Sequence, residues 1–250
     1  WVAKLESKLN GISRKKIQVV NAGLPSATTA ELLAGYVFRH RFLKSDIVVI
    51  HTGGNDVDAL YFDNYDPEYT HLRAHGVGRN PRKGERFLLK SNVMKVVYSI
   101  WLSDMKSVFQ DTPEPFANLN RKEAYERALK TDPEGFRRNL DYLIKLIKED
   151  GAEVILLGYL QPRRERISFS VKALEGLEDA EVAGVQKHFS IMEELSNKYG
   201  VFFFRFDNTL FKDEWFQDNC HLNEEGESKK ADIVFDYFQR YSLLSRIENH

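Results

Sequence analysis

Cysteine is all but missing. Cys220 is the single one in 250 residues. A disulfide needs two thiols, so no intrachain framework holds this fold, and the count leaves a cytoplasmic or an exported setting equally open. Net charge is also missing: 36 Lys and Arg face 37 Asp and Glu, for −1 at pH 7. That balance gives no electrostatic footprint for nucleic acid. No apolar run has the length of a transmembrane helix. The most apolar helix-like stretch, Phe87 to Phe109, is broken by Lys90, Lys95, Asp104 and Lys106. No Gly-Lys-Ser/Thr follows the glycine pair at 53–54, which excludes a phosphate-binding P-loop there. Internal repeats and low-complexity tracts are absent.

What is present reads as one α/β domain over residues 1–250. An apolar share of 42% is ordinary globular usage, enough for a full core. Helix-like and strand-like runs alternate. Trp1 to Asn10 has Val2, Leu5 and Leu9 at helical spacing, stopped by Gly11. Ile17 to Val20 is a short β-branched run. Thr28 to Phe42 predicts a helix with Ser26 or Thr28 as its cap. Asp46 to His51 predicts a buried strand. Asp132-Pro133-Glu134 predicts a helix start with Asp132 as cap, running to about Glu149. Glu153 to Tyr159 and Val201 to Phe204 predict strands, with a helix from Asp179 to Tyr199 between them. The last helix is expected from near Asn223 past Tyr241. Strands joined by helices imply a parallel sheet covered on both faces.

Three polar turns carry chemistry. Asp218-Asn219-Cys220-His221 precedes the last helix. Spacing of three lets the Asp218 carboxylate hold the His221 imidazole in one tautomer, leaving the other ring nitrogen as a general base. Gly53-Gly54-Asn55-Asp56 follows a buried strand, at the end of the sheet where α/β folds bind ligands. There the Asn55 amide can donate to a developing oxyanion. Asn21-Ala22-Gly23 ends another strand-like run, and the Gly23 N–H can point to the same place. Each also has a plain reading as a surface or strand-ending turn, since Gly, Asn and Asp favour turns. The weight lies in their order along one chain.

That ordered trio resembles the SGNH (GDSL-type) hydrolase family. Val20-Asn21-Ala22-Gly23 is similar to its second block, Gly53-Gly54-Asn55-Asp56 to its third, and Asp218 to Asn223 to its fifth. The resemblance implies a flavodoxin-like three-layer α/β/α fold with a central parallel sheet of about five strands. It implies His221 as base, Asp218 as its orienter, and Gly23 and Asn55 as oxyanion donors. The expected activity is ester hydrolysis through an acyl-serine, without metal or organic cofactor, on a small-molecule, lipid or acylated-carbohydrate ester. The family's first block, Gly-Asp-Ser, is not in the sequence. Ser13 and Ser26 lie before and after the second strand and do not replace it. The serine and its strand are therefore expected upstream of Trp1, which opens inside a first helix.

Residues 63–110 are expected to form a lid or substrate loop. His71 and His75 have metal-ligand spacing, but Leu72 departs from His-Glu-x-x-His, and a solvated loop is the expectation. Arg73, Arg79, Arg82, Lys83 and Arg86 suit an anionic head group or, more plainly, solvent. The stripe Val93, Met94, Val97, Ile100 and Trp101 reads as core or lid underside. Two rival readings are a non-catalytic carbohydrate- or lipid-binding module of the same fold, and a flavodoxin-like nucleotide or flavin binder. The second leaves the adjacency of Asp218 and His221 without a reason.

Overall fold

A computed structural model describes residues 1–62, 65–69, 91, 119–169 and 174–248. Within them the chain is mixed α/β, a small parallel sheet with helices around it. In chain order, α1 is Val2–Asn10, α2 Thr29–Gly35, β1 Ile47–Thr52, α3 Arg121–Lys130, α4 Glu134–Glu149, β2 Glu153–Gly158, α5 Glu178–Tyr199, β3 Phe202–Phe204, α6 Glu224–Arg240 and α7 Leu243–Glu248. The strand order is β1-β2-β3. β1 runs parallel to β2 from Ile47↔Glu153 to Thr52↔Gly158, and β2 parallel to β3 from Ile155↔Phe202 to Leu157↔Phe204.

Alternation along the strands builds two cores. Val154 and Leu156 of β2 face one way, with Val48, Ile50 and Phe203 beside them. α4 brings Phe136, Leu140, Ile144 and Ile147 to that face, spaced by one helical turn, and each is fully buried. Burial of one such side chain contributes roughly 1.5–3 kcal/mol. α5 adds Val185, Phe189, Met192 and Leu195. Ile155 and Leu157 face the other way, towards Leu5 and Leu9 of α1 and Ile233, Val234 and Phe238 of α6. The sheet is thus covered on both sides.

Caps explain several boundaries. Thr28 and Glu31 form a reciprocal capping box at the start of α2. The expected single helix from Thr28 to Phe42 is instead α2, then a wider turn at Tyr36–His40 and a tighter one at Arg41–Leu43. Lys44, in a left-handed conformation (φ 50°), ends it. Pro133, rather than Asp132, takes the cap position of α4. Gly200 closes α5 at φ 62°, which favours glycine. The Asn223 side chain accepts from the Gly226 N–H at 3.0 Å and starts α6.

One expectation is met in part and another is corrected. The described residues form three strands, not about five, and Ile17 to Val20 is not a strand. Ile17 and Val19 do pack on the second core. Their backbone groups, however, bond to α1 side chains: Asn10 takes both the N–H and the C=O of Ile17, at 2.8 and 2.7 Å, and Glu6 takes the Val19 N–H. A β-branched run becomes a strand only when a neighbouring strand offers a ladder, and none lies beside it among the described residues. The same holds for the outer edge of β1. The expected lid at 63–110, with His71, His75, the basic run 73–86 and the apolar stripe 93–101, lies outside the described residues except at 65–69 and 91.

Candidate functional site

The loop between Phe216 and Leu222 is pinched shut by an antiparallel bridge. Gln217 N–H donates to His221 C=O and Asn223 N–H to Trp215 C=O, both at 2.8 Å. Inside this closed loop Asp218 turns back on the chain. Its Oδ1 accepts from the N–H groups of Cys220 (2.8 Å) and His221 (2.7 Å). Its Oδ2 meets His221 Nδ1 at 2.6 Å. A carboxylate accepts, so Nδ1 carries the proton and Nε2 holds the lone pair. The His221 side chain is 74% exposed and its partner 29%, so the lone pair is open to an incoming group. Partial burial works to raise the Asp218 carboxyl, but the two backbone N–H groups and the imidazole outweigh it and hold the group below the usual range.

Cys220 sits within the same turn. Its Sγ lies 3.5 Å from His221 Nδ1 and shares a hydrogen bond with the Tyr159 hydroxyl. Burial pushes the thiol up to about 12, so it is no thiolate nucleophile.

The Gly53-Gly54-Asn55-Asp56 turn follows β1 directly. Gly53 has φ 113°, a conformation that glycine alone adopts without strain. Gly54 lies under the Tyr159 ring: a Cβ there would fall 2.2 Å from ring carbons. Tyr159 therefore touches both the glycine turn and the Cys220 loop, and puts them at one end of the sheet. Asp56 is 1% exposed. It accepts from Thr29 N–H and, at 2.6 Å, from Thr29 Oγ1, fastening the turn to the start of α2. Burial pushes its carboxyl up to about 6 against these bonds.

The two expected oxyanion donors are placed differently from the Asp218–His221 pair. Asn55 Nδ2 donates to Ala27 C=O at 2.9 Å. The Gly23 N–H donates to its neighbour Asn21 Oδ1 at 3.1 Å. Among the described residues neither bonds to the 218–221 loop. The Asn55 amide keeps one N–H for another acceptor, because an NH₂ group has two. The Gly23 N–H has one and must exchange it.

Two supporting residues escape sequence reading. His188 of α5 is wholly buried and stacks on Phe136 with centroids 4.0 Å apart. Its Nδ1 meets Gly53 O at 2.8 Å. Burial lowers its pKa to about 4, so the ring is neutral and Nδ1–H is the donor. Beneath the turn, Glu181 accepts from Gln161 Nε2 at 3.0 Å and from the Tyr61 hydroxyl. Burial pushes Glu181 up to about 7, and burial with the Glu181 charge raises nearby Asp58 as well. A signal for His188 existed: it is the polar residue in the apolar stripe Val185, Phe189 and Met192.

A cleft of about 580 Å³ opens between Arg41, Lys44, Asp46, Lys148, Asp150 and Glu153. It lies where β1 and β2 begin, the end of the sheet opposite the glycine turn, and holds none of the candidate residues. No described helix is long and apolar enough to cross a membrane. Comparison with protein-family models, curated proteins and solved structures found no match to this chain.

Proposed function

We propose that this chain is the body of a serine-dependent ester hydrolase of the SGNH type, acting through an acyl-serine on a small-molecule, lipid or acylated-carbohydrate ester. The observation that carries it is the 2.6 Å contact between Asp218 Oδ2 and His221 Nδ1, with the imidazole otherwise open to solvent. In this reading His221 Nε2 takes the proton from a serine hydroxyl as its oxygen attacks the ester carbonyl. Asp218 steadies the imidazolium that forms. His221 then returns the proton to the leaving alkoxide, and a water repeats the cycle on the acyl-serine. The serine belongs to a turn upstream of Trp1, ending a further parallel strand. That strand extends the parallel sheet towards a flavodoxin-like fold. The outer edge of β1, which has no ladder partner among the described residues, and Ile17 and Val19, packed on the second core, support that placement. Asn55 supplies its second amide N–H to the oxyanion, and Gly23 supplies its N–H once it exchanges Asn21 Oδ1.

The engagement of both donors favours one second reading, a binding module of the same fold. A form carrying the residues upstream of Trp1 tests both. A fluorophosphonate probe should label one serine before Trp1, and His221→Ala should abolish labelling while the circular dichroism stays unchanged. A non-nucleophilic residue at that turn, with no labelling, establishes the binding module instead.

A further inference from the structure

Three different metal-ligating side chains crowd one point of the 216–222 loop. One donor atom each from Asp218, Cys220 and His221 lies within 4.8 Å of the others. They bring an oxygen, a sulfur and a ring nitrogen, a donor set suited to zinc. The spacing is quantitative. A Zn–S bond of about 2.3 Å and a Zn–N bond of about 2.0 Å at the tetrahedral angle separate S from N by roughly 3.5 Å. Cys220 Sγ and His221 Nδ1 are 3.5 Å apart. The carboxylate must retreat, since Oδ2 at 2.6 Å from Nδ1 is at hydrogen-bond range and two zinc ligands sit about a further 0.7 Å apart. The exposed imidazole leaves an entry path.

We propose that Asp218, Cys220 and His221 bind Zn²⁺, and that the bound ion removes His221 as a base. The atoms balance. Zinc replaces the proton on Nδ1, and that proton passes through solvent to Nε2. It also replaces the thiol proton, which leaves to solvent. The 2+ ion then meets one carboxylate and one thiolate, giving a neutral centre with water in the fourth position. Nε2 now carries hydrogen and has no lone pair for a serine proton. Zinc is an inhibitor here, not a cofactor. Binding stands on the geometry alone; the inhibition rests on the hydrolase reading above.

The chain titrated with Zn²⁺ by calorimetry should bind one ion. Titrated with Co²⁺, it should show a thiolate-to-cobalt charge-transfer band. Cys220→Ser should remove the band and weaken Zn²⁺ binding by at least about tenfold. His221→Ala, a change at an exposed ring, should weaken it similarly. No thiolate band at saturating Co²⁺, or Cys220→Ser binding within about twofold of the unsubstituted chain, overturns the site. In a catalytically competent form, Zn²⁺ should suppress turnover at the concentration where calorimetry shows half-saturation, and EDTA should restore it. Turnover unaffected by saturating Zn²⁺ overturns the inhibition. A metal-binding chain whose upstream serine is never acylated overturns the hydrolase reading and leaves the site standing.

Discussion

His188 Nδ1–H donates to the carbonyl of Gly53 across 135 positions of sequence, at 2.8 Å and out of contact with water. One helix side chain thereby fixes the carbonyl of a glycine that has left ordinary backbone space. His188→Phe keeps the ring on Phe136 and loses the donor. The unpaired Gly53 carbonyl should cost about 1–3 kcal/mol, read as a lower urea midpoint with unchanged slope. If Asn55 donates to the oxyanion, the loosened turn should lower kcat more than it alters KM.

Asp56 makes stability depend on pH in an unusual direction. Its carboxyl rises from 3.8 to about 6 on folding. The folded state therefore binds the proton more tightly, and the stabilisation is full below the unfolded value. It is lost as pH rises through about 6. The span corresponds to about 3 kcal/mol. The unfolding free energy of the unsubstituted chain, relative to that of Asp56→Asn, should fall by about 3 kcal/mol between pH 4 and pH 7, read from urea titrations. His188, lowered to about 4, works oppositely, losing stability as pH falls from 6.5 towards 4. The comparison with Asp56→Asn isolates the acid from it.

Gly54→Ala should destabilise by more than about 2 kcal/mol, because its Cβ meets the Tyr159 ring at 2.2 Å. Tyr159→Ala in the same chain should recover part of that loss. Strict additivity of the two changes, measured by a double-mutant cycle, argues against the contact.

In a catalytically competent form, Asp218→Asn should lower kcat by roughly 10⁴, by losing the tautomer that Oδ2 enforces. Asn55→Ala should lower it by about 10²–10³ with a smaller effect on KM. An equal loss of kcat and thermal stability in Asn55→Ala marks its bond to Ala27 as its whole role.

The helices and most strands were legible because their signals are local. Val185, Phe189 and Met192 show the period of α5, and Gly200 its end. Asp218 and His221 were legible for the same reason, three positions apart. Ile17 to Val20 misled because a strand is a property of a pair, and the run itself says nothing of its neighbour. Asn55 sits at the strand-end turn expected of it, whereas the run before Gly23 is no strand; their acceptors, Ala27 and Asn21, are fixed by loop conformation. His188 stands out as the polar residue in an apolar stripe, but its contact with Gly53, like that of Tyr159 with Gly54, is announced by no pattern in either segment.

The bridge from Phe216 to Leu222 gives the Asp218–His221 pair a portability that the other candidate groups lack. Among the described residues, every bond orienting the imidazole closes within seven consecutive positions. Motion of the sheet shifts the whole unit and leaves its internal distances alone. Lineages of this chain are then free to reshape the surrounding mouth, and so the molecules it admits, while inheriting the pair as one cassette. A designer can lift the same seven residues onto another short two-stranded turn.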